Sequence, residues 1–153
     1  MRTIKFRGKK VTNGVWAYGS LVYLDENGAA IYVQTDNGSV KVMDLVYVAP
    51  DTVCQFTGLL DKNGKEIYEG DVLRSDEYPY SCIGDKERDN YFGLIEWNEN
   101  EAAFYIVTIK NPKSSVKGIS DGISDYISQS ALQDFEVIGN IYDDEWKQFR
   151  EHL

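Results

Sequence analysis

The sequence predicts a mainly β fold: an antiparallel meander, then a small coiled β-barrel or sandwich, with a short C-terminal helix. Three observations carry that reading. Asn-Gly pairs recur at Asn13-Gly14, Asn27-Gly28, Asn37-Gly38 and Asn63-Gly64, and this pair most readily takes the positive φ values of a two-residue hairpin turn. The runs between the pairs are rich in aromatic and β-branched side chains, which suit a pleated, half-buried surface. Apolar residues at helical spacing are scarce.

In chain order, Lys5, Arg7 and Lys9 alternate with Ile4, Phe6 and Gly8, so the first strand should turn its basic side chains outward to water. Val15 to Tyr23, Ala30 to Gln34, Val40 to Val42 and Leu45 to Val48 continue the pattern up to Pro50. Residues 2–48 therefore read as a meander, and residues 1–50 as a first subdomain. Residues 51–153 read as a second, barrel-like subdomain, either separate from the first or fused with it. Its strands are expected at Val53–Thr57, Glu66–Tyr68, Val72–Arg74, Phe92–Trp97, Ala103–Ile109 and Phe135–Tyr142. The Phe92 and Ala103 strands should pair through Asn98-Glu99-Asn100-Glu101. Asp143-Asp144 can cap a terminal helix that puts Trp146, Phe149 and Leu153 on one face. A weaker helical turn spans Ser128 to Gln133, with Leu132 inward. Ser75 to Tyr91 and Asn111 to Asp125 read as long loops. The second holds a tandem Gly118-Ile119-Ser120-Asp121 and Gly122-Ile123-Ser124-Asp125, too short for a solenoid.

Composition narrows the function. The chain has 153 residues, 42% hydrophobic and 13% aromatic, which excludes a disordered polymer. No apolar run approaches the roughly 18 residues of a membrane helix, and the first ten residues lack the apolar core of a secretory signal. With only Cys54 and Cys82, no disulfide framework is expected and a reducing cytosol is the default. The formal net charge is −9. Residues 1–50 hold six Lys/Arg against four acids, a balance of +2, and residues 51–153 hold ten against 21, a balance of −11. An acidic body repels nucleic acid, whose binding depends on cations that displace counterions.

The usual chemistries fail one by one. The single histidine, His152, is next to the C-terminus, a poor platform for a nucleophile–base pair and too little for zinc. No phosphate-binding glycine motif occurs. Asp61-Lys62-Asn63-Gly64 hints at a calcium loop, but the sixth and twelfth positions are Glu66 and Val72 where an EF-hand needs Gly and Glu. The remaining candidates are carboxylates: Glu66, Glu69 and Asp71, with Glu96 on a later strand. Two acids a few ångströms apart could serve glycoside hydrolysis or hold magnesium. In Glu69-Gly70-Asp71 an acid could equally accept backbone N–H bonds at a bend. Eleven Tyr and three Trp suit strand faces and protein interfaces.

The opening Lys5-Phe6-Arg7-Gly8-Lys9 with Gly14 to Leu21 resembles the start of the YopX family of phage and prophage proteins. The segment from Asp51 to Val72 resembles that family's central signature, and Gly93 to Trp97 and Glu136 to Tyr142 resemble its closing elements. The resemblance implies a phage or prophage product, mainly β and homo-oligomeric, with no established biochemical activity to carry over. The signature also has a direct physical meaning: Gly58, Gly64 and Gly70 stand where the backbone turns or bulges, between core residues Phe56, Ile67 and Val72.

The expectation is a non-enzymatic cytosolic accessory protein of the bacterial host cell. It would assemble with itself and with a host or phage protein, without catalytic residues, cofactor, metal, membrane or nucleic acid. The first alternative is an acidic mimic that occupies the nucleic acid groove of a host protein. The second is a magnesium-dependent or hydrolytic enzyme using Glu69, Asp71 and Glu96.

Overall fold

A computed structural model describes residues 3–25, 28–36, 41–75, 91–109 and 124–148. Its strands form antiparallel sheets, as the Asn-Gly punctuation and the aromatic runs require, and the chain divides into two compact units, residues 1–58 and 59–153.

The first unit is the meander. β1 (Phe6–Lys9), β2 (Trp16–Asp25), β3 (Gly28–Asp36) and β4 (Lys41–Val48) pair in sequence, and the start of β5 (Cys54–Leu60) adds to the other edge of β1. Arg7 faces Cys54 and Phe6 faces Gln55 in that ladder. Residues after Pro50 therefore continue the first sheet, and the break between the units falls eight residues beyond the expected boundary, inside β5. β2 divides its partners at Gly19: the residues before it pair with β1 and those after it with β3. A Cβ on Gly19 would lie 2.1 Å from the Tyr32 carbonyl oxygen, so only glycine lets β3 approach there.

Asn13-Gly14 and Asn63-Gly64 turn the chain, but not as two-residue hairpins. Gly14 and Gly64 have φ of 69° and 79°, while among the described residues Ala102 alone has positive φ without being glycine. Asn13 and Asn63 thus lack the left-handed conformation that turn needs at both positions. The loops are wider instead. Lys10 N–H donates to the Val15 carbonyl at 2.9 Å, and the Asn13 side-chain oxygen accepts the Val15 N–H at 3.1 Å. Asn27 and Asn37-Gly38 lie outside the described residues; the strands flanking them pair as Asp25 with Gly28 and Asp36 with Lys41.

Alternation sorts the first sheet into two faces. Ala17, Ala29, Ile31 and Val48 form the core, with Phe6, Leu21, Val33, Val46 and Val53 packed around them. Gly8 belongs to this face, and a Cβ there would meet Val48 Cγ2 at 2.8 Å. The end of β1 touches the end of β4 through the Lys10–Val48 bridge. The ladder goes no further, and the barrel expected for residues 51–153 does not close either, because the sheet there is open at both edges.

In the second unit β5 ends in the Asp61–Lys65 turn, followed by β6 (Glu66–Tyr68). An open sheet then runs in the order β10 (Ser124–Tyr126), β9 (Ala103–Thr108), β8 (Tyr91–Asn98), β7 (Asp71–Ser75) and β11 (Glu136–Asn140). The β8–β9 hairpin forms as expected, with Asn98 opposite Ala103. β8 is buried from Tyr91 to Ile95. Tyr91 and Ile95 join Ile67, Leu73, Phe104, Ile106, Leu132 and Phe135 on one face. Phe92 and Leu94 join Val72, Ile109, Ile141 and Trp146 on the other. Leu132 points inward as expected, on a turn closed by its N–H to the Ser128 carbonyl at 3.1 Å.

The C-terminal segment differs from expectation. Residues 141–146 run through turns and Lys147–Gln148 are 3₁₀, while Asp143 directs its carboxylate backward to the Asn140 N–H at 3.0 Å where a helix cap would reach forward. Trp146 still packs, 5.7 Å from the Phe92 ring. Phe149 and Leu153 lie outside the described residues, as do His152, Cys82 and most of both long loops, the Gly-Ile-Ser-Asp tandem included up to Ile123.

Candidate functional site

The sequence nominated carboxylates, and the structure gives them local work. Asp71 is 1% exposed, and its Oδ2 accepts the Tyr68 N–H at 2.8 Å, holding the Glu69-Gly70 bend between β6 and β7. Glu66 accepts the Tyr68 hydroxyl at 2.7 Å. Val72 pairs with Leu94, so by strand alternation Asp71 and Glu96 point to opposite faces of the sheet. Asp71 and Glu96 are therefore not brought together as an acid–base pair. Among the described residues no group of three or more His, Cys, Asp or Glu side chains is arranged to hold a metal ion.

Asp61 has the same structural character. Its carboxylate accepts the N–H groups of Asn63 at 2.8 Å, Lys65 at 2.9 Å and Val137 at 3.0 Å. Burial pushes its pKa up, but these bonds and the nearby Lys65 charge outweigh that and hold it below the ordinary value. The calcium-like run is thus a closed turn tied to β11.

Two surfaces remain that can meet a partner, one in each unit. On the first sheet, the face opposite the core carries Tyr18, Tyr32, Met43, Leu45 and Tyr47, each between 39% and 57% exposed. The registers place them: Tyr32 lies opposite Leu45 and Ala30 opposite Tyr47, while their neighbours Ile31 and Val46 turn inward. Along one side of this face runs a basic–aromatic ladder. The Arg7 guanidinium lies 4.5 Å from the Trp16 ring centre, Lys9 Nζ 5.3 Å from the same ring, and Lys5 Nζ 5.7 Å from Tyr18. The expected outward strand face is correct for its direction but not for its solvation, since Arg7 is only 5% exposed. A cation over a ring in such a desolvated place stabilises by about 2 kcal/mol.

In the second unit a shallow groove of about 460 Å³ opens at the β8–β9 hairpin, lined by Glu96, Trp97, Asn98, Glu99, Asn100, Tyr105 and Val107. Beside it Glu101 accepts hydrogen bonds from the hydroxyls of Tyr105 and Tyr126, whose rings stack with centres 4.5 Å apart. These bonds lower the Glu101 pKa; burial, then the Glu101 contact, raises that of Tyr105. The groove lining holds carboxylates and amides and no Lys or Arg.

Sequence reasoning found the basic strand and the aromatic strands but not their pairing across β1 and β2. The usable signal was that Lys5, Arg7 and Lys9 share a parity, as do Trp16 and Tyr18 on the next strand. It had no route to the Glu101–Tyr105–Tyr126 cluster, which depends on β10 joining the edge of β9.

A family model described as YopX protein matches residues 5–145. The chain belongs to the YopX family. The stretch that resembles the YopX central signature runs from the 3₁₀ turn Pro50–Thr52 through β5, the Asp61 turn and β6 to the Gly70 bend. Within it Asp61 and Asp71 close turns and Glu66 accepts the Tyr68 hydroxyl, so in this YopX protein these side chains serve the scaffold. The crystal structure of protein EF1440 from Enterococcus faecalis is similar in fold, with a TM-score of 0.56 and 17% identity over 98% of this chain and 99% of that one. At that identity the likeness concerns the fold alone. No curated protein matches the chain. No helix among the described residues is long and apolar enough to cross a membrane.

Proposed function

We propose that this YopX protein is a non-enzymatic accessory protein of a phage or prophage, working in the bacterial cytosol, that acts by assembling with copies of itself. The observation that carries the reading is the aromatic outer face of the first sheet. A face with Tyr18, Tyr32, Met43, Leu45 and Tyr47 in the open has the composition of an interface core, where aromatic residues and Met are enriched. Its apolar area offers more when covered by protein than when left in water.

Sedimentation velocity from low to high micromolar concentration tests this. The wild-type chain is expected to sediment above its monomer mass, and Leu45→Ser with Tyr47→Ser to return it to monomer. These exposed positions should shift fold stability by no more than about 0.5 kcal/mol each. A wild-type monomer throughout the range removes the proposal.

The acidic groove supports a second reading, an acidic mimic that occupies a host protein's nucleic acid groove. A pull-down from bacterial lysate that enriches no DNA- or RNA-binding protein, relative to a Glu96→Gln, Glu99→Gln control, removes it.

A further inference from the structure

We propose that the basic–aromatic ladder of β1 and β2 docks the acidic β8–β9 groove of a second copy, head to tail. The inference rests on the self-assembly reading and adds the orientation and the chemistry of the contact. Charge is divided between the units: residues 1–58 carry six Lys/Arg against five acids, and residues 59–153 carry ten against 20. Two copies meeting through the acidic second unit set like charges against each other, and a contact between that unit and the basic strand β1 does not.

The two surfaces are complementary in detail. Lys5, Arg7 and Lys9 stand at alternate positions of one strand face, about 7 Å apart. Trp16 and Tyr18 lie beside them, with Arg7 pressed into the Trp16 ring and the lysines reaching over the rings from either end. The groove offers Glu96 and Glu99, with Glu101 at its rim, and aromatic walls in Trp97 and Tyr105. Carboxylates can meet the ammonium groups while rings cover the stems, the pattern of a hydrophobic centre with a charged surround. A head-to-tail contact uses a different surface on each partner. It leaves one of each unfilled at the ends of a growing chain of copies, so assembly continues until a ring closes.

Sedimentation velocity of the full-length protein decides it. Wild type should show masses beyond a dimer, and raising salt to about 1 M, where screening acts within about 3 Å, should weaken assembly. Lys5→Glu with Lys9→Glu makes both surfaces acidic, and Glu99→Lys with Glu101→Lys makes both basic. Each variant alone should associate at least about tenfold more weakly than wild type. Mixed in equal amounts they should assemble again, since each now carries the complement of the other. If wild type assembles but neither salt nor the reversals weaken it, the head-to-tail contact is wrong while self-assembly stands. If wild type is a monomer, both fall. Circular dichroism confirms that each variant is folded; should one not fold, the salt series on wild type still decides.

Discussion

Gly93→Val should destabilise the second unit by about 3 kcal/mol, at the upper end of what overpacking costs. Even the first added carbon has no room: a Cβ on Gly93 would lie 2.4 Å from Ile106 Cγ1 and 2.5 Å from its Cδ1. The strands cannot part to admit it, because Gly93 pairs with Thr108 and Leu73 in ladders on both sides. Ile106 is itself 7% exposed, in the cluster with Ile95, Leu73 and Phe104. Ile106→Ala should cost about 3 kcal/mol through its cavity. In the double variant each change relieves the other, so the summed loss should fall short of additivity by more than about 1 kcal/mol. Urea unfolding followed by tryptophan fluorescence reads all three, and strict additivity would show that the two residues do not share this space.

Asp61→Ala should cost about 4 kcal/mol, because one carboxylate serves three backbone N–H groups and hydrogen bonds to a charged acceptor each contribute about 1.5–3 kcal/mol. Asp61→Asn keeps an acceptor oxygen and should lose about half as much. The acid dependence follows from the direction of the shift. The folded pKa is depressed, so the stability it contributes is fully present above the unfolded value of about 3.9 and disappears as pH falls through the folded value. Glu136 behaves alike, its pKa lowered by the Lys62 hydrogen bond and the Arg74 charge against the opposing effect of burial. Equilibrium unfolding between neutral pH and pH 3 should therefore show a smaller acid-induced loss in Asp61→Asn than in wild type. An unchanged pH profile would place the acid sensitivity elsewhere.

Strand positions were legible in the sequence because period-two alternation and residue type survive without tertiary context. Val15 to Tyr23 and Phe92 to Trp97 are examples. Turn geometry was not. Asn-Gly marks a reversal, yet Asn13 and Asp61 use their side chains to bond backbone two residues on, and that competing bond selects a wider loop. The barrel expected for residues 51–153 failed because closure requires the edge strands β10 and β11 to pair, and a missing long-range ladder leaves no trace in composition. The expected helix cap was not legible at Asp143, whose carboxylate can cap forward or grip Asn140 behind it. Nothing local distinguishes those choices. The carboxylates of Glu69-Gly70-Asp71 were visible, and the bend reading of them was the correct one. The aromatic outer face was half visible: Tyr32 and Tyr47 announce strands, but which parity meets water depends on which one the small residues Gly8, Ala17 and Ala29 line.

Strand β8 lies between two apolar clusters, one on either side of it. Neither cluster can melt alone without stripping that strand of half its cover, and an unsupported strand cannot hold the remaining half. The second unit should therefore unfold as one cooperative event, its calorimetric enthalpy equal to the van't Hoff value. The amide protons of Phe92 to Ile95 should be the last in that unit to exchange with deuterium, released only when all of it opens.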